Sequence, residues 1–144
     1  MNKVTINERE NIDLVDYDIM GIQAKIDTGA YYGAIHCSNV ELIEKDGKRY
    51  VSFYLLDDKH PKYNKQSITA RISKRVYIAN SFGEGQWRYM VKLKIMLRDE
   101  QYEVYFSLAD RSKMAVPVLL GRHFLQGKFL VDVSAQSNEG EKTE

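Results

Sequence analysis

Cysteine is nearly missing from this 144-residue chain. Cys37 stands alone, which excludes an intramolecular disulfide or a multi-thiolate metal cage and suits a reducing compartment, the cytoplasm by default. An excess of one charge is missing too: 21 Lys and Arg face 20 Asp and Glu, a formal net charge of +1. No bulk field draws in a polyanion or an anionic membrane, so neither nucleic acid nor membrane is expected as a partner. No window approaches the about 18 uninterrupted apolar residues of a membrane span, and Met1 to Arg9 lacks the apolar centre of a secretion signal. There is no Pro-rich or Gly/Ser-rich linker and no internal repeat. What remains, at 44% hydrophobic, 28% charged and 11% aromatic residues, fits one domain with a sizeable core. That domain is expected over residues 1–133. Residues 134–144 are too polar to offset their ordering entropy and read as a disordered tail.

Short runs of Val, Ile, Tyr and Phe recur between Gly, Asp and Asn, and no helical periodicity lasts three turns. A mainly β protein follows. Strands are expected at Ile12 to Val15, Met20 to Ile26, Tyr31 to Cys37, Val40 to Glu44, Arg49 to Leu56, Ile68 to Ala79, Trp87 to Leu97, Tyr102 to Leu108 and Phe129 to Val133. Tight turns are expected at Lys45-Asp46-Gly47-Lys48 and Arg98-Asp99-Glu100-Gln101. Asp57 to Gln66 and Asn80 to Gln86 read as loops, the second as a mobile hairpin tip between two long strands.

Two segments carry chemistry. In the first, the alternating stretch Ile22 to Ile26 ends in Asp27-Thr28-Gly29-Ala30. An aspartate at a strand end can project into a cleft, a threonine hydroxyl can hold the loop, and Gly and Ala leave room beside the carboxylate. Asp-Thr-Gly alone is weak evidence, expected by chance in about 3% of chains this long. In the second, the apolar run Ala115 to Leu120 stops at Gly121-Arg122 and opens into a short helical pattern, His123-Phe124-Leu125.

With both segments in this order, the chain resembles the retropepsin-like aspartic proteases. Stepping back from Leu119 gives two strands and then the glycine-containing tip around Phe82, Gly83 and Gly85, where retropepsins carry the flap that closes over a bound peptide. Within that group the chain is most similar to a bacterial family filed as ATP-dependent zinc proteases. Ala24-Lys25-Ile26-Asp27-Thr28-Gly29-Ala30, Leu119-Leu120-Gly121-Arg122 and Gly127-Lys128-Phe129-Leu130-Val131-Asp132 carry that likeness, which spans roughly Ile12 to Ser134. The family usually follows Asp-Thr-Gly-Ala with Arg-Thr-Ser-Ala-Leu-His. Here the chain reads Tyr31-Tyr32-Gly33-Ala34-Ile35-His36, so the arginine and two hydroxyl residues are gone.

The resemblance implies a closed retropepsin-like β-barrel with one short helix after Leu-Leu-Gly-Arg. It implies an aspartic endopeptidase in which Asp27, Thr28 and Gly29 are catalytic, and Ala30, Tyr31, Phe82, Gly83 and Gly85 meet the substrate. His36, Gly121 and Arg122 would support the loop, His36 by hydrogen bonds beneath it. Pepsin-type hydrolysis needs two carboxylates about 3 Å apart sharing one proton, and the chain has one Asp-Thr-Gly. A homodimer is therefore expected, acting on a peptide or protein. Family members are associated with ATP-grasp ligases that append glutamates, which implies trimming of acidic tails, with Arg71, Lys74, Arg75 and Arg88 as local sources of positive charge.

Neither zinc nor ATP is expected as a cofactor. No His-Glu-x-x-His or phosphate-binding glycine loop is present, and alternation sends His36 and Cys37 to opposite faces of a strand. The same alternation sends Tyr31 and Tyr32 to opposite faces, one toward the core and one toward solvent. The rival from another class is a retropepsin-fold module that binds a peptide or protein without cutting it. An RNA-binding barrel built around Lys74-Arg75-Val76-Tyr77 is disfavoured by the near-zero net charge.

Overall fold

A computed structural model describes residues 2–79 and 82–134. The expected tail from residue 135 onward, and Asn80 and Ser81 of the hairpin tip, lie outside the described residues. The described chain is mainly β, with strands β1 (Val4–Asn7), β2 (Arg9–Leu14), β3 (Ile19–Ile26), β4 (Gly33–Lys45), β5 (Lys48–Leu55), β6 (Ser67–Arg71), β7 (Lys74–Ala79), β8 (Gly85–Leu97), β9 (Glu100–Ala109), β10 (Val118–Leu120) and β11 (Phe129–Asp132). The helix α1 (Arg122–Leu125) follows Leu-Leu-Gly, where the apolar run led one to expect it.

Strand pairing runs β10-β3-β2-β8-β9-β4 and returns to β10, which also pairs with β4. Where a closed barrel was expected, the pairing gives a mainly β ring of strands. Its β2–β8 seam is carried by one registered pair, Asp13 and Met96, and not by a continuous ladder. Inside the ring, Ile22, Ala24, Ile35, Val91, Leu93, Ile95, Phe106, Val118 and Leu120 are buried together. Arg98 closes the seam electrostatically: its Nε and Nη2 donate to the two carboxylate oxygens of buried Glu10 at 2.8 and 2.7 Å, and the Asn7 amide donates to Glu10 Oε2.

Three strand expectations need correction. Tyr31 to Cys37 and Val40 to Glu44 are one strand, β4, because a register shift between Ser38 and Glu41, with Asn39 at φ 54°, absorbs the break without ending the strand. Ile68 to Ala79 is two strands. At the Ile72-Ser73 junction the chain changes partner, Ile72 donating to the Arg49 carbonyl and Ser73 to that of Met90, so β6 pairs with β5 and β7 with β8. Val4–Asn7, outside every expected strand, pairs in parallel with β11 as a separate two-stranded sheet. The Lys45 to Lys48 turn forms as expected and the second lies one residue earlier than expected, between Leu97 and Glu100, with Asp46-Gly47 and Arg98-Asp99 all at positive φ.

Candidate active site

The loop that joins β3 to β4 carries Asp27, Thr28, Gly29, Ala30, Tyr31 and Tyr32, and β10 is inserted between the two strands the loop connects. Val118, Leu119 and Leu120 pair in parallel with Ala24, Lys25 and Ile26, while Val118 and Leu119 pair antiparallel with Ile35 and Ala34. The second motif therefore lies directly behind the first. Asp27 donates its amide to the Leu120 carbonyl at 2.9 Å, and its carboxylate Oδ1 accepts the Gly29 amide at 2.9 Å. Arg122 amide meets the Ala30 carbonyl and His123 amide the Tyr31 carbonyl, both at 2.8 Å, while Arg122 Nη1 donates to the Thr28 carbonyl at 3.0 Å.

Gly121 is required by this close approach. A β-carbon there would sit 2.7 to 2.8 Å from the carbonyl oxygens of Ala30, Tyr31 and Tyr32, inside van der Waals contact. The loop thus gathers Asp27, Thr28, Gly29, Ala30, Tyr31, Gly121 and Arg122 as the sequence implied. Tyr31 and Tyr32 do not diverge, because strand geometry starts only at Gly33. Their rings meet edge to face at 4.7 Å, and each also packs on His123. Lys74 of β7 lies over the Tyr32 ring and donates to its hydroxyl, tying the hairpin to this cluster.

Strands β7 and β8 pair as an antiparallel hairpin. Phe82 is 88% exposed at its tip and Gly83 adopts φ +81°. Gly85 serves close packing and not bending: a β-carbon would stand 2.6 Å from the Ile78 carbonyl and 2.7 Å from the Tyr77 ring. Arg75 stacks on Trp87, and Arg71 is exposed on β6.

His36 is buried, but it does not sit beneath the Asp27 loop. Its Nε2 contacts Asp57 Oδ2 at 2.9 Å, and its Nδ1 accepts the Arg111 amide at 2.8 Å. Accepting at Nδ1 requires the neutral ring to carry its proton on Nε2, where it donates to Asp57. The bond from His36, aided by the Lys59 amide, holds the Asp57 carboxyl below its ordinary range. His36 thus pins two loops, 57–66 and 110–117, to β4. Cys37 is a buried small residue as expected, its thiol facing the Ala109 carbonyl; burial pushes its pKa up to about 12.

These contacts bear on zinc. Both His36 nitrogens are engaged, the Cys37 thiol is held protonated by burial, and among the described residues no three His, Cys, Asp or Glu side chains cluster as metal ligands do. The residues present do not fit a zinc site.

Sequence reasoning missed Arg111. It is 9% exposed, its Nε donates to the Val116 carbonyl at 3.2 Å, and its guanidinium feels the charges of both Arg88 and Asp27. Its only sequence signal was its place in the loop just ahead of the Ala115 to Arg122 segment. Burial draws Arg88 and Arg111 below the usual arginine range; Arg88 lowers Arg111 further, and Asp27 opposes that.

A loop anchored by the strand inserted behind it, and faced by a glycine-bearing hairpin, defines the chain as retropepsin-like. A family model described as "RimB-like: Retropepsin-like aspartic endopeptidase RimB" matches residues 5–142, and the chain belongs to that family. Across 98% of its length it is 33% identical to a probable alpha-L-glutamate ligase of Shewanella pealeana, and across 92% it is 33% identical to that of Shewanella halifaxensis. It spans only 31% and 29% of the lengths of these two relatives. A solved structure from Legionella pneumophila, described as a protein of unknown function, superposes with a TM-score of 0.74 at 25% identity, covering 96% of this chain and 98% of that one. Among the described residues no helix is long and apolar enough to cross a membrane.

Proposed function

We propose that the chain is one subunit of an aspartic endopeptidase. The observation that carries this reading is the Asp27 loop, held by β10 and Arg122, in a chain whose family is described as retropepsin-like aspartic endopeptidases. The chain holds one Asp-Thr-Gly, so the reacting pair comes from two copies of Asp27 brought together about a twofold axis. Two such carboxylates, about 3 Å apart, cannot both ionise and share one proton. The ionised one takes a proton from water as it attacks the peptide carbonyl, and the protonated one donates to the carbonyl oxygen. Thr28 bonds across the axis, Gly29 shapes the carboxylate's seat, and Ala30, Tyr31, Phe82, Gly83 and Gly85 line the substrate path. The strand ring acts as the closed barrel that holds this cleft, in the cytoplasm, without a metal or ATP.

The relatives named as glutamate ligases give the substrate reading its direction: tails of acidic residues attached by such a ligase, with a ligase as functional partner. The same relatives favour one rival reading, since a module matching a third of a ligase could dock peptide for its partner without cutting.

Purified protein incubated with acidic peptides across a range of pH, beside the Asp27→Asn variant, tests both. Cleavage abolished by the substitution is the expected result. Cleavage unchanged in the variant would overturn the aspartic mechanism, and wild-type binding without cleavage would establish the module. Sedimentation of the active form should show a dimer.

A further inference from the structure

We infer that Lys74 and Tyr32 are positioning residues: their contact holds the β7–β8 hairpin and the Asp27 loop as one unit, so that a peptide entering beneath the hairpin meets both together. This inference rests on the peptide-cleft reading above for its substrate, while the coupling itself stands on contacts within the chain. Lys74 occupies the point where the hairpin leaves the sheet. Met90 of β8 pairs with Lys74 on one side and with Ser107 of β9 on the other, whereas residues 85–89 pair with β7 alone. β7 in turn pairs with no other described strand. Beyond Met90 the hairpin is thus a two-stranded ribbon, which is marginally stable by itself. Its direction depends on what grips its base.

Tyr32 grips it from the loop side. Its hydroxyl accepts from the Lys74 ammonium, which also stands 4.6 Å from the Tyr32 ring centroid, so one side chain attracts the cation twice. Among the described residues Lys74 is in no ion pair that would compete. From Tyr32 the contacts run on to the loop. Its ring meets that of Tyr31 at 4.7 Å and that of His123 at 5.4 Å. The Arg122 guanidinium stands 5.6 Å from the Tyr31 ring centroid and donates to the Thr28 carbonyl, one residue beyond Asp27. Strand geometry begins only at Gly33, so side chains and not a ladder carry this link. Neither Lys74 nor Tyr32 makes a described contact with Asp27, and their effect therefore falls on how peptide is held and not on the bond-breaking step.

Amide hydrogen exchange on the full chain tests the coupling without a ligand. Tyr32→Phe keeps the ring but removes the acceptor, and Lys74→Gln removes the charge but leaves the backbone pairing with Met90. Each should speed exchange about fivefold, both at residues 75–79 and 85–89 of the hairpin and at Gly29 and Ala30 of the loop, and leave residues 91–97 unchanged. The double variant should do no more than either single one, because both act through one contact. Lys74→Arg, which keeps the charge and its donors, should retain most of the protection. Loosening confined to the hairpin in Lys74→Gln and to the loop in Tyr32→Phe, or effects that add in the double variant, overturns the inference. Where peptide is cleaved, both single variants should raise KM about fivefold and leave kcat in place; a fall in kcat at unchanged KM overturns the positioning role. A wild type that cuts no peptide would sink the peptidase reading and leave the coupling standing on its exchange data; cleavage with uncoupled exchange would do the reverse.

Discussion

Arg122 reaches across 94 residues of sequence to place Nη1 3.0 Å from the Thr28 carbonyl. Its own amide meets Ala30 and its guanidinium lies over the Tyr31 ring. One side chain thus couples the two motifs at the loop that bears Asp27. Truncation to Arg122→Ala removes an exposed hydrogen bond and a ring contact, so the expected loss of stability is modest, about 1 kcal/mol. The loop should loosen more than the fold does. Denaturant midpoints together with amide exchange at Gly29 and Ala30 measure the two effects separately.

Gly121→Ala should be worse. The new methyl meets three carbonyl oxygens of the loop, none on a flexible side chain. Relief requires the loop to move as a unit, and the expected cost is at least the about 1–3 kcal/mol of ordinary overpacking. Thermal unfolding checks this, and an unchanged midpoint would contradict the packing described.

Asp27→Asn should separate chemistry from folding. An amide oxygen can still accept the Gly29 amide, so stability should change by less than about 1 kcal/mol while any hydrolysis disappears. Matched urea curves with loss of peptide cleavage are the expected pair of results.

The Glu10–Arg98 pair gives a pH dependence with a definite sign. Burial raises the Glu10 carboxyl, but the Arg98 and Asn7 bonds overcome it and leave the group below its ordinary value. A carboxyl lowered in the folded state contributes stability above its unfolded pKa, and that contribution is lost as pH falls through the folded value. Wild type should therefore lose stability on acidification below about pH 5, and Arg98→Ala should flatten that slope. At neutral pH the substitution should cost about 1–2 kcal/mol, limited by the half-exposed arginine.

Cys37 should resist thiol reagents in the native state. Its thiolate is scarce near neutral pH because burial pushes the pKa up to about 12. Labelling should track global unfolding, and rapid labelling without denaturant would show that β4 opens locally around Cys37.

Much of the site was legible because its residues act through backbone chemistry that sequence records directly. Asp-Thr-Gly-Ala and Gly121-Arg122 announce a sharp loop and a close approach, and the structure joins them by main-chain bonds. The β content and both tight turns were legible for the same reason, since Asp46-Gly47 and the alternating strands flanking Arg98-Asp99 are local signals. What was not legible depends on partners far along the chain. Whether Ile68 to Ala79 is one strand or two is decided by β5 and β8, and the continuity of β4 by a bulge opposite β5. His36 and Arg111 acquire their roles from each other, across 75 residues, and no local pattern around either residue encodes that contact.

The insertion of β10 between β3 and β4 also has a kinetic meaning. Residues near 26 and 35 cannot complete their pairing until residues 118–120 arrive from the far end of the domain. Such long-range closure is slow and belongs late in folding. Every earlier intermediate would expose the Asp27 loop without its backing, so the loop should take its final form only when β10 docks.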